Sequence, residues 1–327
     1  MILKKILVIQ TAFIGDVILA TAIIEKLHNF YTDAKIDVLV RQGNEGLFKN
    51  HPFINSILIW NKKNRKFKNL LKLSKQIRNA KYDTVINLHR YASSGFITLR
   101  SGAKYKVGFN KNPLSMFYTK QFPHQIGNGL HEVERNHQLI ADLTDQTASK
   151  PKLYPTKLQY DKIKKITSKS YIVIAPASVW FTKQVPKSKI IELIDKQPKD
   201  IDIFLIGAPT DKTYCESIIN NCKGKRVVNL AGELSLLESA VLIEGAKMNY
   251  VNDSAPLHLA SAMNAPVKAF FCSTIPEFGF GPLSENAEIL QTNNKLACRP
   301  CGLHGHKSCP KKHFKCGYDI NLLNEVV

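Results

Sequence analysis

Short apolar runs alternate with longer segments of helical periodicity along most of the chain, and the alternation begins at once. KKILVI (4–9) has the continuous apolar character of a buried strand. DVILATAIIEKLHNFY (16–31) then predicts a helix with an aspartate at its N-terminus. KIDVLV (35–40) and YDTVINL (82–88) predict further strands. Between them the basic stretch 61–78 predicts an amphipathic helix, with Phe67, Leu70, Leu71 and Ile77 at helical spacing. VGF (107–109) precedes a loop-rich region, and VERNHQLIADLTD (133–145) predicts a helix. QTASKPKLYPTK (146–157) holds two prolines and little periodicity, which marks a linker. A second set follows it: strand and turn at 171–177, helix at 188–196, strand at 201–207, helix at 236–246, strand and turn at 248–253, helix at 255–263, strand at 267–272. Such alternation predicts an α/β fold of parallel sheets covered by helices on both faces, one in each half, with domains at 1–150 and 151–327.

Length agrees with two domains, since single cores stop growing well short of 327 residues. No apolar run approaches the roughly 20 residues of a bilayer span. Lys4 and Lys5 ahead of an apolar run resemble the start of a signal peptide, but Asp16 interrupts the run and no small-residue cleavage site follows. The chain reads as cytoplasmic. Its charge is unusual: 46 Lys and Arg against 26 Asp and Glu, a net +20. That excess points to polyanionic partners, whether nucleic acid, an anionic membrane face or phosphorylated substrates. The densest segment, NKKNRKFKNLLKLSKQIR (61–78), carries eight basic residues and no acidic one. A solvated lysine surface is the plainer account of it.

In open α/β sheets ligands sit beyond the C-terminal strand ends, so the βα turns are where chemistry is expected. Three of them are notable. TAFIGD (11–16) has one glycine, Gly15, where a dinucleotide fingerprint needs three, so phosphate cradling is not expected there. What remains is a carboxylate, Asp16, at a helix N-terminus; complementing the helix dipole, worth about 0.3–1 kcal/mol, is the plainer explanation. APASVWFTKQVPKSK (175–189) offers Ser178, Thr182 and Lys183 between a strand and a helix, which suits a phosphate. VNDSAPLHLASA (251–262) places Ser254 as an N-cap and Pro256 in the first helical turn, with Asp253 and His258 bracketing a terminus that attracts anions.

Taken in order, these turns resemble the ADP-heptose:lipopolysaccharide heptosyltransferases, glycosyltransferase family 9. The resemblance rests on Gly15-Asp16-Val17; on Pro176, Ser178, Lys183 and Pro186; on Gly207-Ala208-Pro209 with Asp211; on VNLAGELSL (228–236); and on Asn252, Asp253, Ser254, His258, Leu259 and Ala260. It implies a GT-B fold, two Rossmann-like domains facing across a cleft, with the acceptor in the N-terminal half and the nucleotide sugar in the C-terminal half. Asp16 is then the general base of an inverting transfer. Lys183 and the 253–258 helix terminus offset charge on the ADP leaving group, Asp211 accepts from the ribose hydroxyls, and Leu234 lies near the adenine. Ser178, Thr182, Asp253, Ser254, Ala255 and His258 complete the expected nucleotide-sugar site. Lys62, Lys63, Arg65, Lys66 and Arg90 are expected to meet an anionic lipopolysaccharide-core acceptor at the cytoplasmic face of the inner membrane. No catalytic metal and no cofactor are expected: Asp200-Ile-Asp202 fits a D-x-D pair but precedes its strand, the wrong end for a ligand. The family glycines replaced here by Ala255 and Cys272 leave the donor sugar open. A transferase of the same fold with another nucleotide sugar is the first rival, and a basic nucleic-acid-binding protein the second, although the basic segment has no interleaved aromatic beyond Phe67.

Four of the seven cysteines cluster in CRPCGLHGHKSCPKKHFKC, as Cys298, Cys301, Cys309 and Cys316, with His304, His306 and His313 among them. Structural zinc, disulfides and reduced thiols all remain open on this spacing.

Overall fold

KILVI becomes an interior strand because nothing in it asks for water: Ile6, Leu7, Val8 and Ile9 are all buried, as in a strand covered on both faces. The computed structural model describes residues 3–326 except 223, 225 and 324. It divides into two units, Met1–Tyr154 and Pro155–Val327. The first unit runs β1 (Lys5–Ile9), α1 (Ile14–Phe30), β2 (Lys35–Arg41), β3 (Ile54–Trp60), α2 (Lys66–Asn79), β4 (Thr84–Asn87), α3 (Ala92–Arg100), β5 (Tyr105–Phe109), β6 (Lys120–Phe122) and α4 (Glu132–His137). Its strands form one six-stranded sheet in the order β3-β2-β1-β4-β5-β6, parallel throughout.

The second unit runs α5 (Lys157–Lys164), β7 (Tyr171–Ala175), α6 (Lys187–Lys196), β8 (Asp202–Leu205), α7 (Lys212–Ile219), β9 (Val227–Asn229), α8 (Leu236–Glu244), β10 (Met248–Asn252), α9 (Ala255–Met263), β11 (Val267–Phe271), β12 (Ala287–Gln291) and α10 (Lys315–Tyr318). Its sheet, again parallel, has the order β12-β11-β10-β7-β8-β9. The first strand of each unit therefore sits mid-sheet, where the chain order reverses and a crevice opens at the C-terminal strand ends. The α/β class with two parallel sheets is as the periodicity predicts.

Several expectations need correction. The basic helix begins at Lys66, not within the residues before it, and Arg65 takes a left-handed conformation at its start. Leu70, Leu73 and Ile77 anchor it in the core, each contributing roughly 1.5–3 kcal/mol on burial. Phe67 and Leu71 do not join them; they lie on the outer side, 74% and 55% exposed among the lysines. The helix expected at 133–145 ends at His137, and turns carry the chain onward. The expected linker ends in helix α5, which starts at Lys157. Asp202 opens β8 and pairs with Arg226 at 3.3 Å, a structural use at the strand end remote from the βα turns.

Candidate active site

In the first unit the β1–α1 connection is held from three sides. Lys62 Nζ donates to Thr11 O at 2.7 Å and to Thr11 Oγ1 at 3.2 Å, while lying 4.5 Å from the Trp60 ring centroid. Thr11 Oγ1 is 3.1 Å from His89 Nδ1, and Asn44 Nδ2 donates to Ala12 O at 3.2 Å. Asp16 projects from the first turn of α1, which starts at Ile14. Burial raises its pKa from 3.8 to about 6, helped by the negative charge of Glu132; Arg90 and the backbone N–H groups of Phe13 and Asp16 pull the other way. The helix terminus thus acts on Asp16 as expected of a dipole, but desolvation outweighs it.

The basic residues expected to meet the acceptor do not share one setting. Burial, then Arg41 and Lys66, lower the Lys62 pKa to about 8. Burial, then Lys62 and Arg90, lower that of His89 to about 3, so its ring is neutral. Charge thus couples Lys66 to Lys62, Lys62 to His89, and Arg90 to both His89 and Asp16. Lys62 is committed to the loop backbone, and Lys63, Arg65 and Lys66 are exposed. Sequence reasoning missed His124, Glu132 and Arg135. His124 Nε2 is 3.0 Å from Glu132 Oε2, Arg135 Nε donates to the same oxygen at 2.8 Å, and Arg90 Nη1 is 3.1 Å from His124 Nδ1. The available signal was HEVERN (131–136), a segment too charged for a six-residue helix that nevertheless lies largely buried.

In the second unit Asn252 explains why the turns after β7 and β10 stand together. Its Nδ2 donates to Ala175 O at 3.1 Å and Pro176 O at 3.0 Å, and its Oδ1 accepts from Val185 N at 2.9 Å. The neighbouring Asp253, 6% exposed, accepts from Lys183 Nζ at 2.7 Å and from Thr274 Oγ1 at 2.7 Å through the same oxygen. Ser254 occupies the cap position of α9, but its hydroxyl donates back to Asn252 O at 3.3 Å and makes no side-chain cap. Ala255 starts that helix and His258 is buried in it. Ser178 N–H donates to Gln184 Oε1 at 3.2 Å. Asp211 Oδ2 accepts from Ala208 N at 2.8 Å beyond β8, and Leu234, half-buried, follows β9.

Thr182 is a clamp point. Its hydroxyl accepts from His306 N at 2.7 Å and Ser273 Oγ at 3.0 Å, its N–H donates to His306 O at 3.1 Å, and its carbonyl accepts from Ser273 N at 3.2 Å. The cysteine-rich tail therefore closes directly on the turn that carries Lys183. Arg299 fixes the tail's start, donating to Phe271 O, Cys272 O and Thr274 O at 2.7–3.1 Å. The four cysteines line one pocket of about 220 Å³ with His313 and Thr182. Cys298 Sγ lies 3.8 Å from His313 Nε2. As the side chains stand, no three His, Cys, Asp or Glu among the described residues are placed to hold a metal ion. Cys272 is fully buried and its thiol is pushed far up by burial and by Cys316.

The model of glycosyltransferase family 9 (heptosyltransferase) matches residues 70–312. Lipopolysaccharide heptosyltransferase 3 of Escherichia coli K12 is 30% identical over 290 residues, 83% of each chain. Among solved structures, a family 9 glycosyl transferase from Veillonella parvula superposes with a TM-score of 0.80 at 21% identity, covering 89% of this chain and 87% of that one. The E. coli ADP-heptose LPS heptosyltransferase II superposes at 0.78 and 22%, covering 91% and 95%. At those identities what the structures share is the GT-B-type fold.

Proposed function

The chain belongs to glycosyltransferase family 9, the heptosyltransferases, and from that premise we propose that it transfers a heptose from ADP-heptose to the inner core of lipopolysaccharide, to Kdo or to an earlier heptose. The names of the relatives support the donor and the pathway. The observation that carries the chemistry is Asp16, a carboxylate in a βα turn whose pKa is raised to about 6. Such a group is a stronger base than an ordinary aspartate and is still ionised at neutral pH.

In this reading an acceptor hydroxyl attacks the anomeric carbon from the face opposite ADP. The new C–O bond forms as the bond to the diphosphate oxygen breaks, the configuration inverts, and the hydroxyl proton passes to Asp16. Lys183, held by Asp253, and the α9 terminus at 253–258 meet the charge that develops on ADP; preorganised donors of this kind are usually the larger catalytic term. Ser178, Ala255 and His258 are assigned to the same diphosphate end, Asp211 to the ribose and Leu234 to the adenine. Thr182 acts through the turn it clamps. Arg90 and Lys66 face the anionic acceptor, and no catalytic metal takes part.

Among the described residues no helix is long and apolar enough to cross a membrane. The exposed lysines of α2, with Phe67 and Leu71 between them, suit peripheral contact with an anionic leaflet, where each basic residue contributes about 1 kcal/mol. A structural zinc at Cys298, Cys301, Cys309 and Cys316, which line one pocket, remains part of the proposal; elemental analysis of the purified protein tests it, and a zinc content far below one equivalent contradicts it. The transfer itself is tested with a panel of ADP-, UDP- and GDP-linked sugars and a deacylated core acceptor. Acceptor-dependent nucleotide release is expected with ADP-heptose, and release with another donor alone overturns the assignment.

A further inference from the structure

Arg90, His124 and Glu132 form a chain whose protons can be placed from the donors alone. Arg90 Nη1 lies 3.1 Å from His124 Nδ1. A guanidinium only donates, so Nδ1 is the unprotonated nitrogen of the ring. The ring proton therefore sits on Nε2, 3.0 and 3.2 Å from the two Glu132 oxygens, and is donated to that carboxylate. Arg135 Nε donates to Glu132 as well, at 2.8 Å. His124 and Glu132 are 1% and 5% exposed, and the ring packs edge-on against Phe109 with centroids 4.7 Å apart, so water has no access with which to replace these bonds. Burial opposes ionisation of Glu132, but His124 and Arg135 together outweigh it and keep the carboxyl below its usual range.

This chain acts on the candidate base through charge. His124 follows β6, Glu132 is the first residue of α4, and α4 packs on α1, the helix that carries Asp16. The charged side chains that act on Asp16 are Glu132 from α4 and Arg90 from the β4–α3 turn, with opposite sign. A cluster serving only to join β6 to α4 would need neither the Arg90 contact nor a fixed tautomer.

We propose that His124 and Glu132 are positioning residues: the pair fixes the Arg90 guanidinium beside Asp16 and thereby sets the geometry in which Asp16 and the acceptor hydroxyl meet. This rests on the reading of Asp16 as the base, and the experiment separates the two. The variants are His124→Asn, His124→Gln, Glu132→Gln, Arg90→Met and Asp16→Asn in the full chain. For each, kcat, KM, the pH profile of turnover and ADP affinity are measured. Asparagine places an oxygen where Nδ1 was and continues to accept from Arg90; glutamine reaches toward Glu132 and leaves Arg90 without its acceptor. His124→Asn keeps an acceptor for Arg90 but gives up the bond to Glu132, and is expected to lose less kcat than His124→Gln, which should lose roughly 10–100-fold, as misplacement of a reacting group does. ADP affinity should be native in all. The acid limb of turnover should move to lower pH in Glu132→Gln, which removes a charge opposing ionisation of Asp16, and to higher pH in Arg90→Met. Equal losses in the two His124 variants, or acid limbs that stay in place, overturn the proposal. Where burial of Glu132 leaves its variant unfolded, the limb in Arg90→Met and the His124 pair decide. Native turnover in Asp16→Asn defeats the base assignment and this proposal with it; collapse there with unmoved limbs elsewhere defeats this proposal alone.

Discussion

Lys183 Nζ stands 2.7 Å from Asp253 Oδ2, so the ammonium assigned to the leaving diphosphate is already locked in place by a carboxylate that the Thr274 hydroxyl holds in turn. A lysine has three N–H donors, and the pair leaves others for a ligand. Asp253→Asn strips a largely buried ammonium of its counter-charge, and breaking such a pair costs about 3–5 kcal/mol. Urea unfolding of Asp253→Asn, Lys183→Met and the double variant should return a coupling energy above about 1 kcal/mol, with the double variant less destabilised than the sum. Additive losses would mean the pair is incidental.

Asp16 should make the protein less stable than its own asparagine variant. The folded chain binds more protons than the unfolded one between pH 3.8 and about 6, because the folded pKa is raised. Stability from this group is therefore present at low pH and falls as pH rises through that window. At pH 8 the ionised side chain costs on the order of 2–3 kcal/mol. Thermal unfolding of Asp16→Asn should show a higher midpoint at pH 8, with the gain shrinking toward pH 5. An unchanged midpoint at pH 8 would remove the evidence that the carboxylate is strained.

Gly305 is expected to be the most sensitive tail position outside the cysteines. Its φ is +73°, and a Cβ there would lie 2.7 Å from Thr182 Oγ1, 2.9 Å from Ser273 Oγ and 3.2 Å from Lys183 Cγ. Gly305→Ala should lower ADP affinity about tenfold through displacement of Lys183, and backbone strain should cost about 1–2 kcal/mol of stability. Calorimetric titration with ADP checks the first, and native affinity would mean the tail does not govern the turn.

Charge reversal at Lys68, Lys72 and Lys75, all exposed on α2, should weaken binding to phosphatidylserine-containing vesicles by roughly 100-fold or more at low salt, given about 1 kcal/mol per basic residue. ADP affinity should not change. Flotation that is unaffected would leave α2 as a solvated surface.

The parts of the fold legible in the sequence are those whose burial is complete. β1, β2, β4, β7, β8, β10 and β11 read as apolar runs because both faces are covered. β3, β9 and β12 are edge strands with mixed burial, so they offer no such run and were not foreseen. Helix α2 is misleading in detail because i, i+3 spacing places Phe67 beside Leu70 without saying which of them faces the sheet. Asp16 was legible as a carboxylate in a βα turn. Its elevated pKa is not, because that depends first on burial in the folded unit and then on the charge of Glu132 from α4, against the opposing pull of Arg90 from the β4–α3 turn. The clamp of Gly305 and His306 on Thr182 was hidden for the same reason: it is a backbone contact between segments far apart in the chain, and leaves no spacing to read.

The most direct measurement is single-turnover transfer from ADP-heptose to a deacylated core acceptor by the native chain and by Asp16→Asn, with ADP affinity determined on the same preparations. Native protein should release ADP only with acceptor present, along a pH profile rising through about 6. Asp16→Asn should bind ADP as the native chain does and lose about 10²–10⁴-fold in rate. A variant that keeps its rate within a few fold, while binding ADP normally, would contradict the assignment of Asp16 as the base.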